Sequence, residues 1–508
     1  MTDTAAPLML FNSLTRQLEP FQPIHRGEAR VYSCGPTVYN YPHIGNMRAY
    51  IFADTLGRVL TYKGYRLRHV INITDVGHLT DDADAGEDKL EKMAAQKAQS
   101  IWDIARHYTH AYWADFAALN CRQPAHWSIA TDYIDEMIDF AKSIADRHCY
   151  QLESGLYFDV STVADYGRLA RAQTDEGESR IGDVDGKRNA ADFAIWRTTP
   201  PGEKRQMEWD SPWGRGAPGW HLECSVMGGK LLGFPFDIHT GGIDHREIHH
   251  PNEIAQNQAY CCTKGLDDTR NSGARIWMHN NFLIDRTGKM SKSSGEFLRL
   301  QLLVDKGFHP LAYRLMCLQA HYRSELEFSW EGLLAAFVRL KRMVMAVEKL
   351  TSRHAELVSA SMAQGRDIAP WTLKQVQGDA KLWFRFGGLF EQIDKSICDD
   401  LNTPDLLLWL HAAFDLQDAT IEENLSIVGF IDQLLGLNLL TLTRADLRIR
   451  PVTATITEAE IEAALAERRE ARAARDFARS DAIRDDLIAR GVEVMDGDPL
   501  GWDWRIEI

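Results

Sequence analysis

The sequence predicts an α/β domain built on a parallel sheet, followed by a mainly helical C-terminal half. A strand-like run at residues 30–34 ends in Gly35-Pro36, and a helical pattern follows at residues 47–62. A second run, rich in β-branched residues, covers 66–74. Strand, helix and strand in this order form a βαβ unit, which implies a parallel sheet covered by helices. From about residue 328 onward, apolar residues recur at helical spacing.

Composition limits the class of protein. The 508 residues are 45% hydrophobic and 25% charged, which is ordinary for a globular chain of several domains. No run of 18 apolar residues occurs, so we expect no membrane span. The N-terminus lacks a basic start followed by a long apolar stretch, so we expect no signal peptide. The eight cysteines are scattered, which favours a cytoplasmic protein with reduced thiols over a secreted disulfide framework.

The formal net charge of −15 argues against non-specific binding of nucleic acid by the chain as a whole. Any contact with RNA would therefore depend on a local basic face.

Changes of pattern along the chain predict its segments. Residues 175–189 are polar and rich in Gly and Asp, and prolines follow, which indicates an insertion in the α/β domain. Residues 351–380 are polar without a clean period, and we expect a loop or disordered insertion there. The expected segments are 1–124 and 216–275 (the two halves of the α/β domain), 125–215 (insertion), 276–329 (linker), 330–445 (helical bundle) and 455–508 (C-terminal unit).

The pentapeptide PHIGN at residues 42–46 lies where the first strand leads into a helix. Backbone N–H groups and the helix dipole favour an anion at such a helix N-terminus. His43 and Asn46 can donate hydrogen bonds to phosphate oxygens, and Gly45 permits a close backbone approach. For this pentapeptide alone, a surface turn with an incidental histidine stays an open alternative.

A second motif, GKMSKSSG, covers residues 288–295. Lys289 and Lys292 in a loop rich in Ser and Gly suit a polyphosphate, because lysine acts as a mobile point charge. The alternative for this motif alone is a solvated basic loop.

Four residues could form a metal site. His249 and Glu253 are spaced i, i+4 at the start of a predicted helix, so that both can reach one ion. Cys34, at the end of the first strand, and Cys224, in the string WHLEC, could complete the set. Spacing alone leaves open that both cysteines are core residues and that His249 is a capping or surface residue.

Taken together, the two phosphate-type motifs, in this order and roughly 240 residues apart, resemble the HIGH and KMSKS signatures of class I aminoacyl-tRNA synthetases. CGPTVY (34–39), PGWHLEC (218–224), HTGGID (239–244) and the run at 249–253 resemble the cysteinyl-tRNA synthetase family. The resemblance covers nearly the whole chain apart from 351–380. The chain departs from the family at Asn46, where His is usual, and at Pro251, where Glu is common.

The resemblance implies a Rossmann-type nucleotide-binding catalytic domain with an inserted subdomain, an α-helical bundle and a small anticodon-binding domain. It also implies a monomer that activates cysteine with ATP and Mg²⁺, transfers it to tRNA(Cys), and selects cysteine through one zinc ion. Thr74 and Asp244 would address the α-amino group and backbone of cysteine, Trp220 would line the pocket floor, and His239 would face the carboxylate. The other implied site residues are His43, Gly45, Asn46, Lys289 and Lys292 for ATP, and Cys34, Cys224, His249 and Glu253 for zinc.

For the C-terminal half, the resemblance implies tRNA contacts. Residues 330–445 would contact the tRNA stem, and Trp502 and Trp504 would stack on anticodon bases. Five arginines of a helix expected at 467–479 would contact phosphates, although a solvated charged helix is the alternative; they are Arg468, Arg469, Arg472, Arg475 and Arg479.

Two other functions stay open at this point. One is a cysteine ligase paralogue that uses an amino-sugar acceptor, and the other is a non-catalytic, zinc-containing RNA-binding protein.

Overall fold

A computed structural model of the chain describes residues 6–76, 100–170, 186–285, 288–289, 298–363 and 380–506. The strands are β1 (Met9–Asn12), β2 (Gln17–Pro20), β3 (Glu28–Ser33), β4 (Arg66–Ile73), β5 (His126–Ile129), β6 (Cys149–Leu152), β7 (Gly155–Phe158), β8 (Phe193–Thr198), β9 (Gly216–Pro218), β10 (Phe236–Gly242), β11 (Ala274–Asn280), β12 (Leu283–Asp285), β13 (Gly288–Lys289), β14 (Leu326–Glu327), β15 (Val492–Val494) and β16 (Trp502–Trp504).

The α-helices of the described residues follow the same chain order. They are α1 (Ile44–Tyr62), α2 (Ile101–Ala118), α3 (Ile134–His148), α4 (Trp220–Leu232), α5 (His249–Cys261), α6 (Leu300–Asp305), α7 (Pro310–Leu318), α8 (Trp330–Ala363), α9 (Ala380–Cys398), α10 (Thr403–Ala413), α11 (Ile421–Leu435), α12 (Glu458–Ala473) and α13 (Phe477–Ala489).

The central sheet has five strands in the order β11-β10-β3-β4-β5, and every neighbouring pair is parallel. Helix α1 connects β3 to β4 and buries Ile44, Met47, Ile51 and Leu56. This confirms the βαβ unit and the Rossmann-type class that the sequence predicts. In register, Ser33 pairs with Ile71 on β4 and with Thr240 on β10. The carboxyl ends of these three strands therefore meet at one edge, where doubly wound sheets bind their ligands.

The insertion is a four-stranded antiparallel sheet in the order β6-β7-β8-β9. It begins later than the sequence predicts, because β5, within the segment expected at 125–215, pairs in parallel with β4. It also ends later, because β9 reaches Pro218. The sequence around Ser128 and Ile129 does not distinguish an edge strand of the central sheet from a strand of the insertion. Only the long-range pairing with β4 reveals the boundary.

The bundle contains a second correction. Helix α8 runs without a break to Ala363, so residues 351–363 are helical and not part of the expected loop. Val347 and Leu350 are buried and His354 packs beside Glu422 of α11, which anchors this part of the helix. The rest of the predicted loop, residues 364–379, lies outside the described residues.

A buried ion cluster joins the parallel-sheet domain to the bundle. Arg314 of α7 donates to Asp54 Oδ2 of α1 at 2.6 Å, and Arg58 donates to the same oxygen at 2.7 Å. The same guanidinium groups also donate to the carbonyl oxygens of Leu435 and Gln433 near the end of α11. Ion pairs and hydrogen bonds thus connect the two units, which also have one continuous apolar core.

The C-terminal unit has an apolar core of its own, which includes both tryptophans. Trp502 is completely buried and donates from Nε1 to Glu462 Oε1 at 2.7 Å, and Trp504 is 4% exposed. The expectation that these rings stack on anticodon bases is therefore wrong. A unit of this size needs its largest side chains for its own core.

The arginines of this unit do not share one helix. Helix α12 ends at Ala473, and Arg475 adopts a left-handed conformation (φ 61°) before α13. Arg468 is buried in a bidentate pair with Asp496, at 2.6 and 2.8 Å, and Arg479 donates to Glu467. Arg468 therefore serves the unit's own structure. The other four arginines are exposed, although Arg472 also pairs with Asp496 at 3.0 Å. Across the described ranges, no helix is both long and apolar enough to cross a membrane.

Candidate active site

A cavity of about 450 Å³ opens at the carboxyl edge of the parallel sheet. Residues that follow β3, β4 and β10 line it, together with the N-terminal ends of α1, α4 and α5. Nine of the thirteen site residues expected from the sequence lie in its wall, namely Cys34, His43, Gly45, Asn46, Thr74, Trp220, Cys224, Asp244 and His249. Glu253 lies one helical turn after His249 on α5.

The four expected metal ligands converge at the inner end of this cavity. One ligand atom from each of Cys34, Cys224, His249 and Glu253 lies within 4.8 Å of the other three, and all four residues are buried. This span is close to what one ion bridges with bonds of about 2.0–2.3 Å. His249 Nε2 lies 3.0 Å from Glu253 Oε1, yet this oxygen has no hydrogen-bond partner in the described parts of the chain. A nitrogen and an oxygen that face each other without a hydrogen bond can both donate a lone pair to one cation. The four residues therefore fit a metal ion.

A second quartet overlaps the first. Cys34 and Glu253 also lie within 4.8 Å of a nitrogen on each of His239 and His250. Neither histidine lines the cavity, whereas Cys34, Cys224 and His249 do. The first quartet therefore has three of its four residues in the cavity wall, whereas the second has only Cys34 there.

His239 contacts Glu253, one of the expected metal ligands, and does not line the cavity. Its Nε2 donates to Glu253 Oε2 at 2.9 Å, and the side chain is 1% exposed. The expectation that His239 faces a substrate carboxylate is therefore not met, because the imidazole is buried against Glu253. Instead, His239 orients Glu253, and His221 contacts His249 through the two Nδ1 atoms at 2.9 Å. Partners of this kind fix the rings and carboxylates that bind metals.

Burial and neighbouring groups shift the pKa of three residues of the cluster. Burial opposes the charge on Glu253, but the imidazoles of His239 and His249 lower the pKa of this carboxyl to about 2. Burial also opposes ionisation of Cys34, yet Cys224 and nearby histidines hold the pKa of this thiol well below its usual value. For Cys224, burial and the neighbouring Cys34 raise the thiol pKa well above its usual value.

The PHIGN motif forms the N-cap of α1. His43 Nδ1 accepts from the Gly45 N–H at 3.0 Å, and Asn46 Oδ1 accepts from the His43 N–H at 3.2 Å. The Ile44 N–H donates to the Leu298 carbonyl at 2.8 Å. The first N–H groups of the helix are therefore satisfied within the protein, in contrast to the expectation that they favour an anion there. Any contact with an anion there comes from the side chains and the helix dipole.

Gly45 has a steric role at this cap. A Cβ at this position would come within 3.2 Å of His43 Nδ1 and 3.6 Å of the Leu283 Cβ. The glycine thus leaves room for the imidazole that caps the helix, which is a different reason from the ligand approach that the sequence suggested.

The backbone of the first residue of the KMSKS segment pairs with a strand that borders the same cavity. The backbone of Lys289 pairs with Ile284 on β12, next to Leu283 in the cavity wall. Lys292 lies outside the described residues, as does the side chain of Lys289. Leu298, the next described residue, accepts from the Ile44 N–H of α1 at the PHIGN motif.

The amino-acid side of the cavity contains a residue that sequence reasoning missed. Glu223 is buried, and its Oε1 accepts from the Thr74 hydroxyl at 2.6 Å. Burial raises the pKa of Glu223 to about 8, and a positive charge beside this carboxyl would lower that pKa and favour the carboxylate. Trp220, Glu223 and Cys224 all line the cavity and are spaced i, i+3, i+4 on α4. That helical spacing was the available signal, because residues so spaced share one face.

The two remaining expected residues also lie in the cavity wall. The Trp220 ring packs on the imidazole of His249, with centroids 4.4 Å apart, so it borders the metal quartet. Asp244 is exposed at the cavity and follows β10 directly.

The comparisons with known proteins fit this geometry. Residues 20–338 match the family described as the class I (C) catalytic domain of tRNA synthetases, and residues 457–505 match the cysteinyl-tRNA ligase anticodon binding domain. The cysteine--tRNA ligase of Novosphingobium aromaticivorans is 68% identical over 99% of this chain and 98% of its own length.

The chain belongs to the cysteine--tRNA ligase family. This confirms the resemblance to class I synthetases that the sequence motifs carry. A cysteine--tRNA ligase of Zymomonas mobilis is 51% identical over 100% of this chain and 99% of its own length. Among solved structures, a methionyl-tRNA synthetase of Mycobacterium tuberculosis with methionyl-adenylate superposes with a TM-score of 0.52 at 14% identity, covering 81% of this chain and 90% of that one. This likeness confirms the class I fold of the ligase.

Proposed function

We propose that this chain activates L-cysteine with ATP to cysteinyl-adenylate and pyrophosphate, and transfers the cysteinyl group to the 3′ end of tRNA(Cys). One observation supports the proposal above all: Cys34, Cys224 and His249 of the metal quartet line the same cavity as the PHIGN motif. A thiol-binding group and a phosphate-binding helix end thus share one 450 Å³ space. Cysteine and ATP need this proximity for in-line attack of a carboxylate on a phosphate.

Zinc is the metal that these donors suit best. Two sulfurs, one imidazole and one carboxylate form a mixed soft and hard set that is typical of zinc. When bound, zinc supplies a centre that prefers a thiolate to an alcohol, which distinguishes cysteine from serine. The protein's part is to hold the four ligands rigidly: His239 fixes Glu253, and Trp220 and His221 fix His249. A pocket without such a centre rejects a near-isosteric amino acid poorly.

The phosphate end uses side chains. Because His43 Nδ1 accepts from Gly45, the neutral imidazole carries its proton on Nε2, which becomes the donor for a phosphate oxygen. The Asn46 Oδ1 is used in the capping box, so Asn46 offers its Nδ2 amide. Lys289 and Lys292 are the proposed cations that stabilise charge on ATP in the transition state, with Mg²⁺ on the phosphates.

The tRNA would be read by local faces of an acidic chain. Arg469, Arg472 and Arg475 are exposed on the C-terminal unit, and Arg472 also pairs with Asp496 at 3.0 Å. Arginine suits phosphate contacts and base stacking.

All eight cysteines are free thiols, which supports a reducing, cytoplasmic location. We also propose that the protein acts as a monomer.

Cysteine-dependent exchange of pyrophosphate into ATP tests the activation step, with serine as the matched control substrate. We expect exchange with cysteine, little with serine, and subsequent charging of tRNA(Cys). Absence of exchange would favour the non-catalytic RNA-binding alternative. Exchange without tRNA charging, but with transfer to an amino-sugar, would favour the paralogue.

A further inference from the structure

We propose that Glu223 recognises the protonated α-amino group of the substrate and requires that group to be free. The inference rests on the proposed function, because it takes cysteine as the molecule in the cavity. It concerns a residue to which sequence reasoning gave no role. The ligand class is a primary ammonium next to a thiol.

The first observation is an unused acceptor. Glu223 Oε2 is buried and has no hydrogen-bond partner among the residues that the structure describes, although Glu223 lines the cavity. A buried carboxylate oxygen without a partner is costly, and native proteins rarely retain one without a reason. A ligand with N–H donors in the cavity would remove that cost.

The second observation is the direction of the neighbouring hydroxyl. Thr74 Oγ1 donates its single proton to Glu223 Oε1 at 2.6 Å, and it accepts from Asn72 Nδ2 at 3.0 Å. With its proton used in this way, the Thr74 hydroxyl can offer only lone-pair density to the cavity. Because its proton is held by Glu223, the Thr74 hydroxyl can only accept a hydrogen bond from a ligand. The two side chains therefore offer hydrogen-bond acceptors, and no donor, to the cavity.

Position connects this subsite to the metal quartet. Glu223 precedes Cys224 in α4, and both line the cavity together with His249. In cysteine, two carbons separate the sulfur from the nitrogen, so a thiol held at the quartet places its ammonium within a few ångströms. An ammonium has three donors and a positive charge, which acceptor-only groups and a buried carboxylate match. Asp244 is exposed to solvent, so its charge is better screened than that of Glu223.

The experiment compares cysteine with 3-mercaptopropionate, which has the thiol and carboxylate but no amine. Full-length wild type, E223Q and T74V would be assayed for the cysteine KM in pyrophosphate exchange and for inhibition by 3-mercaptopropionate. Loss of a charged hydrogen bond predicts a rise in the cysteine KM of about 30- to 100-fold for E223Q and about tenfold for T74V. We expect the inhibition constant of 3-mercaptopropionate to change by less than about threefold, and T74S to restore the wild-type KM.

The ratio of the two constants separates recognition from general damage. Equal losses for cysteine and 3-mercaptopropionate in E223Q, or an unchanged cysteine KM, would overturn the role of Glu223. If E223Q does not fold, T74V and T74S decide by the same ratio. Absence of exchange in the wild-type protein would instead overturn the proposed function, so the two failures are distinguishable. Metal content, measured in every variant, is expected to stay at the wild-type level.

Discussion

Replacing Asp54 with asparagine removes the carboxylate that three arginines share between the catalytic domain and the bundle. Asp54 and Arg314 have side-chain exposures of 1% and 0%, and their ion pair is 2.6 Å long. Arg58 contacts the same carboxylate at 2.7 Å, whereas Arg122 lies 3.6 Å away and is 37% exposed. In the Asp54→Asn variant, Arg314 stays buried without its ion-pair partner.

Two observations set the magnitude. Although burial opposes it, the arginines lower the pKa of Asp54 from 3.8 to about 2, which corresponds to about 2 kcal/mol of stability in the charged form. Because the folded-state pKa is depressed, this stability is present above pH 3.8 and is lost as pH falls towards 2. Removing one member of a buried pair costs about 3–5 kcal/mol in other proteins. We therefore expect Asp54→Asn to cost about 4 kcal/mol at pH 7.

Other changes in the same cluster should cost less. Arg314→Met should cost about 3 kcal/mol, because Arg58 still neutralises Asp54. Arg122→Met should cost less than about 1 kcal/mol, as expected for a partly exposed pair.

Urea unfolding followed by tryptophan fluorescence measures these free energies. Asp103→Asn is the matched control, because Asp103 pairs with Arg106 on the surface at 3.1 Å and should contribute less than about 0.5 kcal/mol. A loss for Arg122→Met as large as that for Asp54→Asn, or a loss for Asp54→Asn as small as the control's, would refute the reasoning.

Three further predictions concern other segments. Lys292→Ala should lower kcat for adenylate formation with little change in the cysteine KM, measured by pyrophosphate exchange; comparable losses in both would indicate a structural role. Deletion of residues 364–379 should leave tRNA charging nearly intact, and a large loss would show that the segment is functional. Trp502→Ala should destabilise the C-terminal unit by about 3–5 kcal/mol, since the ring is fully buried in its core; normal thermal unfolding of this variant would contradict that placement.

The sequence predicted the residues of the candidate site well, but it did not predict the contacts that hold those residues in place. Cys34, Cys224, His249 and Glu253 were found through motif resemblance, and the structure brings their ligand atoms together. Local spacing alone linked only His249 with Glu253, because Cys34 and Cys224 meet them through pairing of distant strands and helices. That information is not local, so the residues by themselves left the metal site open.

The errors have a common physical origin. His239 was expected to face the substrate, but a histidine in a motif can equally hold a neighbouring ligand, as its contact with Glu253 demonstrates. Trp502 and Trp504 were expected to be exposed, although a small unit needs them in its core. In each case, the side chain's partner comes from another element, and only the fold reveals it.

The most direct test of the account measures metal content together with the choice between cysteine and serine in one preparation. The purified protein should hold close to one zinc ion per chain and discriminate strongly against serine in pyrophosphate exchange. Cys224→Ser should lose most of the zinc and raise the cysteine KM steeply, by about 100-fold or more. A folded, zinc-free protein that still prefers cysteine to serine would contradict the central claim, as would a Cys224→Ser variant with unchanged metal content.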